Sequence, residues 1–108
     1  MKPSTHEICA QALFVHQARL NWRAAKLARA HARALQVCEM TCTEMVNGHA
    51  VPVPCWASSA PIEAWCGNCR AVAPYHQEYR MAALEYQCAQ SHLTRLCAKM
   101  LAVPRGEA

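Results

Sequence analysis

Large aliphatic side chains are scarce in this chain of 108 residues. Leu, Ile, Val and Phe together number eighteen, and half of the 54% hydrophobic fraction is Ala and Cys. A β-sandwich or a full α/β domain needs more large apolar side chains than this, so something besides packing must help hold the fold. Glycine is also rare, at three residues, and no Gly-rich phosphate loop is present. Nor is there a Ser-centred nucleophile motif or a paired-carboxylate arrangement, so nothing points to an enzyme. No apolar run approaches the ~20 residues of a membrane span. The polar start (Lys2, Ser4, Thr5, His6, Glu7) does not read as a secretory leader. The expected setting is a reducing cytoplasm, where cysteines serve more often as metal ligands, catalytic thiols or small apolar residues than as disulfides.

Acidic side chains are absent between Glu7 and Glu39. That stretch is free of Pro and Gly, and Ser4 and Glu7 have capping-box spacing ahead of it. Cys9, Leu13, Leu20, Ala24, Leu27, His31, Leu35, Cys38, Cys42 and Met45 share one helical stripe, and Asn47-Gly48 reads as the stop. The pattern predicts one helix over about 5–46, roughly 60 Å long. Pro52, Pro54 and Pro61 exclude a helix across most of residues 47–73, and Val51-Pro-Val-Pro reads as extended chain. From Pro74 the helical period returns. Tyr75, Tyr79, Ala82, Tyr86, Ala89, Leu93, Leu96, Cys97 and Met100 share a face, which predicts a second helix over about 74–102, ending before Pro104. The expected fold is all-α and a single domain over 1–108: a long antiparallel helical hairpin with a Pro/Cys-rich linker. The first helix should overhang the second, leaving Cys9, Leu13 and Phe14 for a partner or for a homodimer.

Eight cysteines are the compensating abundance. Cys38 and Cys42 are one helical turn apart, with Cβ atoms ~5–6 Å from one another. That separation is wide for a disulfide but suits two thiolates on one tetrahedral Zn²⁺. Cys66-Gly67-Asn68-Cys69 is the other common half-site, in which Gly67 allows a tight turn. A hairpin brings the two pairs together at its base. The expected ligands of a structural zinc are Cys38, Cys42, Cys66 and Cys69, with Cys55 or His49 able to replace one of them. Zinc would also supply folding free energy. His31, His76 and His92 have no ligand spacing.

Trp65-Cys66-Gly67-Asn68-Cys69-Arg70-Ala71-Val72-Ala73-Pro74 resembles the thioredoxin active-site stretch over ten residues. That resemblance implies a thiol-disulfide role, with Cys66 as nucleophile and Cys69 as resolving thiol. The family's fold also needs strands on both sides of the motif, and the flanks here read as helix. A zinc-clasped helical hairpin is similar in architecture to the RNA-polymerase regulators of the DksA/TraR type, whose paired CxxC spacing this chain lacks. The twin CX9C and CX3C spacings of small mitochondrial hairpins are not met.

Arg19, Arg23, Lys26, Arg29 and Arg33 fall on one side of the first helix, with Trp22 among them. An all-basic face without acidic partners at i±4 suits nucleic acid, a nucleoprotein machine or an acidic protein surface. An exposed Trp would serve as a stacking anchor. The resulting expectation is a non-enzymatic zinc-binding interaction protein, a small regulator or inhibitor of phage or mobile-element type, including anti-CRISPR-like action. A thiol-disulfide protein and a phage structural or assembly component are the alternatives.

Overall fold

The computed structural model describes residues 2–39 and 41–102. The chain is mostly helical: α1 spans Thr5–Leu35, α2 is the short Gly67–Arg70, and α3 spans Ala73–Leu101. Between α1 and α2 lie the antiparallel strands β1 (Thr41–Val46) and β2 (His49–Pro54), followed by 3-10 turns at Cys55–Ala57 and Ile62–Ala64. No helix among the described residues is long and apolar enough to cross a membrane. The expected stop at Pro104 lies outside the described residues.

The start of α1 follows its sequence signal. The Glu7 amide donates to Ser4 Oγ at 3.0 Å and the Ile8 amide to the Ser4 carbonyl at 3.2 Å. Its end does not. The helix expected to reach residue 46 stops at Leu35, and residues 41–46 form a strand. Asn47 and Gly48 have φ of 52° and 81°, so both occupy the left-handed region that a two-residue hairpin turn requires. Val46 pairs with His49 across that turn, Glu44 with Val51, and Cys42 with Val53. Thr and Val among the strand positions favour the pleated form. The same Asn-Gly pair that can end a helix here reverses a hairpin.

The chain divides into two compact units, Met1–Ala24 with Arg80–Ala108, and Ala25–Tyr79. In the first, Ile8, Gln11, Val15, Ala18 and Trp22 are the shielded positions of α1, at the alternating three- and four-residue spacing of a helix seam. Ala18 and, on α3, Ala89 are buried. Gln11 Nε2 donates to the Ala89 carbonyl at 3.0 Å. Trp22 stacks on Tyr86 with ring centroids 5.5 Å apart and planes at 23°. Tyr86, Leu93, Leu96, Cys97 and Met100 are partly shielded on α3, as its periodicity predicts, whereas Tyr75, in the other unit, is exposed.

The expected stripe on α1 is turned outward. Leu13 is 71% and Leu27 72% exposed, and Leu20, Leu35 and Phe14 are exposed too. Trp22, expected in solvent, is partly buried. Its large face meets Tyr86, and stacked aromatic rings add roughly 0.5–1.5 kcal/mol beyond their buried area. Hydropathy ranks leucine first, but α3 presents tyrosines here, and an indole matches them better.

Trp22→Ala should therefore destabilise the protein by roughly 2 kcal/mol, measured by urea denaturation followed by circular dichroism. Leu13→Ala should change stability by no more than about 0.5 kcal/mol. The reverse ranking would make the leucine stripe the packed face.

Candidate metal centre

The unit Ala25–Tyr79 has a very small core. Cys55, Trp65, Cys66, Cys69 and Ala73 form its buried cluster, with Cys38, Cys42, Trp56, Ala60 and Ile62 packed around it. Its position follows from local chain geometry. Cys38 lies three residues beyond the end of α1, just ahead of β1, and Cys55 opens the 3-10 turn directly after β2. The paired strands thus return Cys55 to Cys38, and their sulfurs are 3.6 Å apart. Pro54, at φ −64°, sets the extended entry to that turn. Cys66 is the N-cap of α2 and Cys69 sits within its single turn.

The Sγ atoms of Cys38, Cys55, Cys66 and Cys69 all lie within 4.8 Å of one another, and this group can hold a metal ion. Cys38 and Cys66 are 3.9 Å apart. Tetrahedral thiolates at ~2.3 Å from a zinc ion stand just under ~4 Å from each other, and the Cys38–Cys55 and Cys38–Cys66 separations fall around that value. Cys55 and Cys69 are fully buried and Cys66 is nearly so.

Backbone amides are aimed at the sulfurs. Cys66 Sγ accepts from the amides of Cys69 and Glu39, each at 3.4 Å. Burial opposes ionisation of Cys66, but these donors and the neighbouring thiols of Cys69 and Cys38 hold it well below the usual thiol range. Cys69 moves the other way: burial, then hydrogen bonding with Cys66 and Cys38, pushes its thiol up, against the amides of Trp56 and Cys55 that donate to it. Without a cation, the donors aimed at Cys66 favour a thiolate at that sulfur, while burial favours the thiol form of Cys69. A divalent cation would let all four ionise.

Side chains outside the cage fix its walls. Asn68 Nδ2 donates to the Val37 carbonyl at 2.8 Å, joining the Cys66–Cys69 turn to the segment carrying Cys38. Trp65 Nε1 donates to the Ala60 carbonyl at 2.9 Å, and Arg70 Nη2 to the Glu63 carbonyl at 2.6 Å. The Ser59 amide donates to Glu44 Oε1, which ties the loop after β2 to β1. A Cβ at Gly67 would meet open space and its backbone is not left-handed, so the turn that Gly67 allows does not depend on glycine.

Three of the four ligands anticipated from spacing, Cys38, Cys66 and Cys69, belong to the converging set; the fourth member is Cys55, named as a substitute. Cys42 lies on β1, partly shielded against the cluster, because the helical turn that paired it with Cys38 does not form. His49, the other substitute, is exposed near the hairpin turn. Of the basic face, Arg19, Arg23 and Lys26 are exposed, whereas Arg29 and Arg33 are partly shielded. The hairpin signal, Asn-Gly between β-branched residues, would have identified Cys55 as the residue returned to Cys38. Compared with protein-family models, curated proteins and solved structures, the chain finds no significant match.

Cys55→Ser should abolish metal retention, whereas Cys42→Ser should retain a full complement. Elemental analysis of protein purified without chelator distinguishes them. Metal loss in Cys42→Ser with retention in Cys55→Ser would restore the spacing-based set.

Proposed function

We propose that the protein is a non-enzymatic interaction module whose Ala25–Tyr79 unit is closed by one structural zinc ion on Cys38, Cys55, Cys66 and Cys69. The observation that carries this reading is the convergence of four thiols within 4.8 Å in a buried, amide-lined cage. Soft thiolate sets of this kind select zinc or iron–sulfur chemistry. Zinc is the simpler fit, since a closed four-sulfur set leaves no open position for substrate, which is the mark of a structural site. A two-cysteine redox reading, using Cys66 and Cys69, would leave the approach of Cys38 and Cys55 without a purpose.

In this reading α1 and α3 are the arms of a helical hairpin and α1 provides the docking face. Arg19 and Arg23 are exposed, beside the outward Leu13 and Leu20. Outward leucines favour an acidic protein surface over nucleic acid, because phosphate backbones offer nothing apolar to bury. The protein would act as a regulator by occupying that surface on a larger assembly.

Purified protein should contain about one zinc per chain and no stoichiometric iron or labile sulfide. Chelator should remove the zinc and much of the structure together. Arg19→Glu combined with Arg23→Glu should leave helicity unchanged and abolish binding to polyglutamate, measured by fluorescence anisotropy. Metal-free protein with full helicity would refute the structural-zinc reading. Binding to short duplex DNA, but not to polyglutamate, would redirect the partner to nucleic acid.

A further inference from the structure

The metal centre accounts for the cysteines of the Ala25–Tyr79 unit but not for two arginines in the same unit. Arg29 and Arg33 stand one helical turn apart on α1. The guanidinium carbon of Arg29 lies 3.6 Å from the Tyr79 ring centroid, and that of Arg33 lies 4.3 Å from the Trp56 ring. Arg33 Nη2 is 3.5 Å from His76 Nδ1. Among the described residues, neither guanidinium is paired with a carboxylate. Both Nε atoms are closed to solvent and have no hydrogen-bond partner.

Two cations at i,i+4 repel each other, and partial burial removes the water that would screen them. Arg33 feels both effects: burial first, and then Arg29, push its pKa down. Aromatic faces offset part of this cost, but they carry no net charge. The Nε atoms are closed to solvent, so an anion from solution could meet only the outer ends of these partly shielded side chains. The tetrathiolate is different. A divalent cation on four thiolates leaves two negative charges in a buried cage. Trp56 links the two features: Arg33 stacks on its ring, the residue packs against the cysteine cluster, and its amide donates to Cys69 Sγ.

We infer that Arg29 and Arg33 are the counter-charge of the metal-loaded centre, with Arg33 acting through Trp56 as its positioning residue. This rests on the reading of the four cysteines as a metal site. The loaded cage carries two negative charges against the two positive ones; the metal-free cage carries fewer, so more of the repulsion stands. Metal binding therefore also secures the C-terminal turns of α1 against Tyr79 and Trp56. The arginines, in return, raise the affinity of the cage.

The test is the zinc affinity of the full chain, measured by competition with a chromophoric chelator at low and high NaCl. Arg29→Gln and Arg33→Gln should each weaken zinc binding about tenfold, the scale of outer contacts on metal ligands. Arg33→Lys keeps the charge and loses the planar stack, so it should fall between Arg33→Gln and the parent. Arg95→Gln, an exposed cation in the other unit, should bind like the parent. The parent's affinity should fall with NaCl more steeply than that of either Gln variant. Circular dichroism monitors folding; if Arg33→Gln does not fold, Arg29→Gln and Arg33→Lys decide. Undiminished affinity in the variants, with a parent that binds zinc, overturns the inference and leaves the metal site standing. A parent that binds no zinc removes both. Millimolar inorganic phosphate that stabilises the metal-free parent, but not Arg33→Gln, would assign the pair to an outside oxyanion and also overturn the inference.

Discussion

Four sulfurs held within 4.8 Å of one another are the contact on which the Ala25–Tyr79 unit depends. Its buried cluster consists of Cys55, Trp65, Cys66, Cys69 and Ala73, of which only Trp65 is a large side chain. A two-stranded hairpin is marginal in water without further support, and most of β2 is exposed. A cation on Cys38, Cys55, Cys66 and Cys69, as proposed, would close those segments onto one point and supply what apolar burial does not. The amides that donate to the sulfurs suit that role, because a backbone donor cannot be lost by rotating a side chain.

The Met1–Ala24 and Arg80–Ala108 unit is held by a different interaction. Its seam joins small residues, Ala18 and Ala89, to one large stack, Trp22 on Tyr86. The aromatic pair contributes area that alanine cannot. Leucines, which would do the same work in an ordinary bundle, stand on the outer surface of α1. An apolar stripe in water is costly to keep unless something covers it. In the proposed reading, the outward face, rather than the seam, would meet a partner.

Much of this architecture is legible in the amino-acid sequence, and what is not has specific causes. The Ser4 cap, the α3 face and the Cys66–Cys69 pair follow from local spacing, which tertiary contacts leave undisturbed, whereas Cys38 joins that pair without the helical turn expected to carry it. The span 36–46 misleads because its apolar letters continue the helical period of α1 by coincidence. Thr41, Thr43 and Val46, β-branched and followed by Asn-Gly, are the competing signal. That single ambiguity also explains the ligand set: as a helix, residues 38–42 pair Cys38 with Cys42; as the lead into a hairpin, they deliver Cys38 to Cys55. The seam of α1 is obscured for another reason. Hydropathy ranks Leu above Trp and counts Arg as solvent-facing, yet tyrosines on α3 select an indole at 22 and a guanidinium at 29.

The basic run without acids between Glu7 and Glu39 therefore divides by position along one helix. Arg19 and Arg23 look outward, where screening makes each worth little to stability, so stability alone does not account for them. Arg29 and Arg33 are partly shielded, where charge is costly, and no carboxylate among the described residues offsets it. Neither cation has a glutamate at i±4 on α1, and neither forms an ion pair among the described residues. A like-charge pair at i,i+4 on an open helix costs about 0.2–0.5 kcal/mol, and partial burial adds to that cost. In the proposed reading, thiolates ionised on metal binding would reconcile the two arginines with the thin core, because the loading that closes the loops would also leave the cage with a net negative charge.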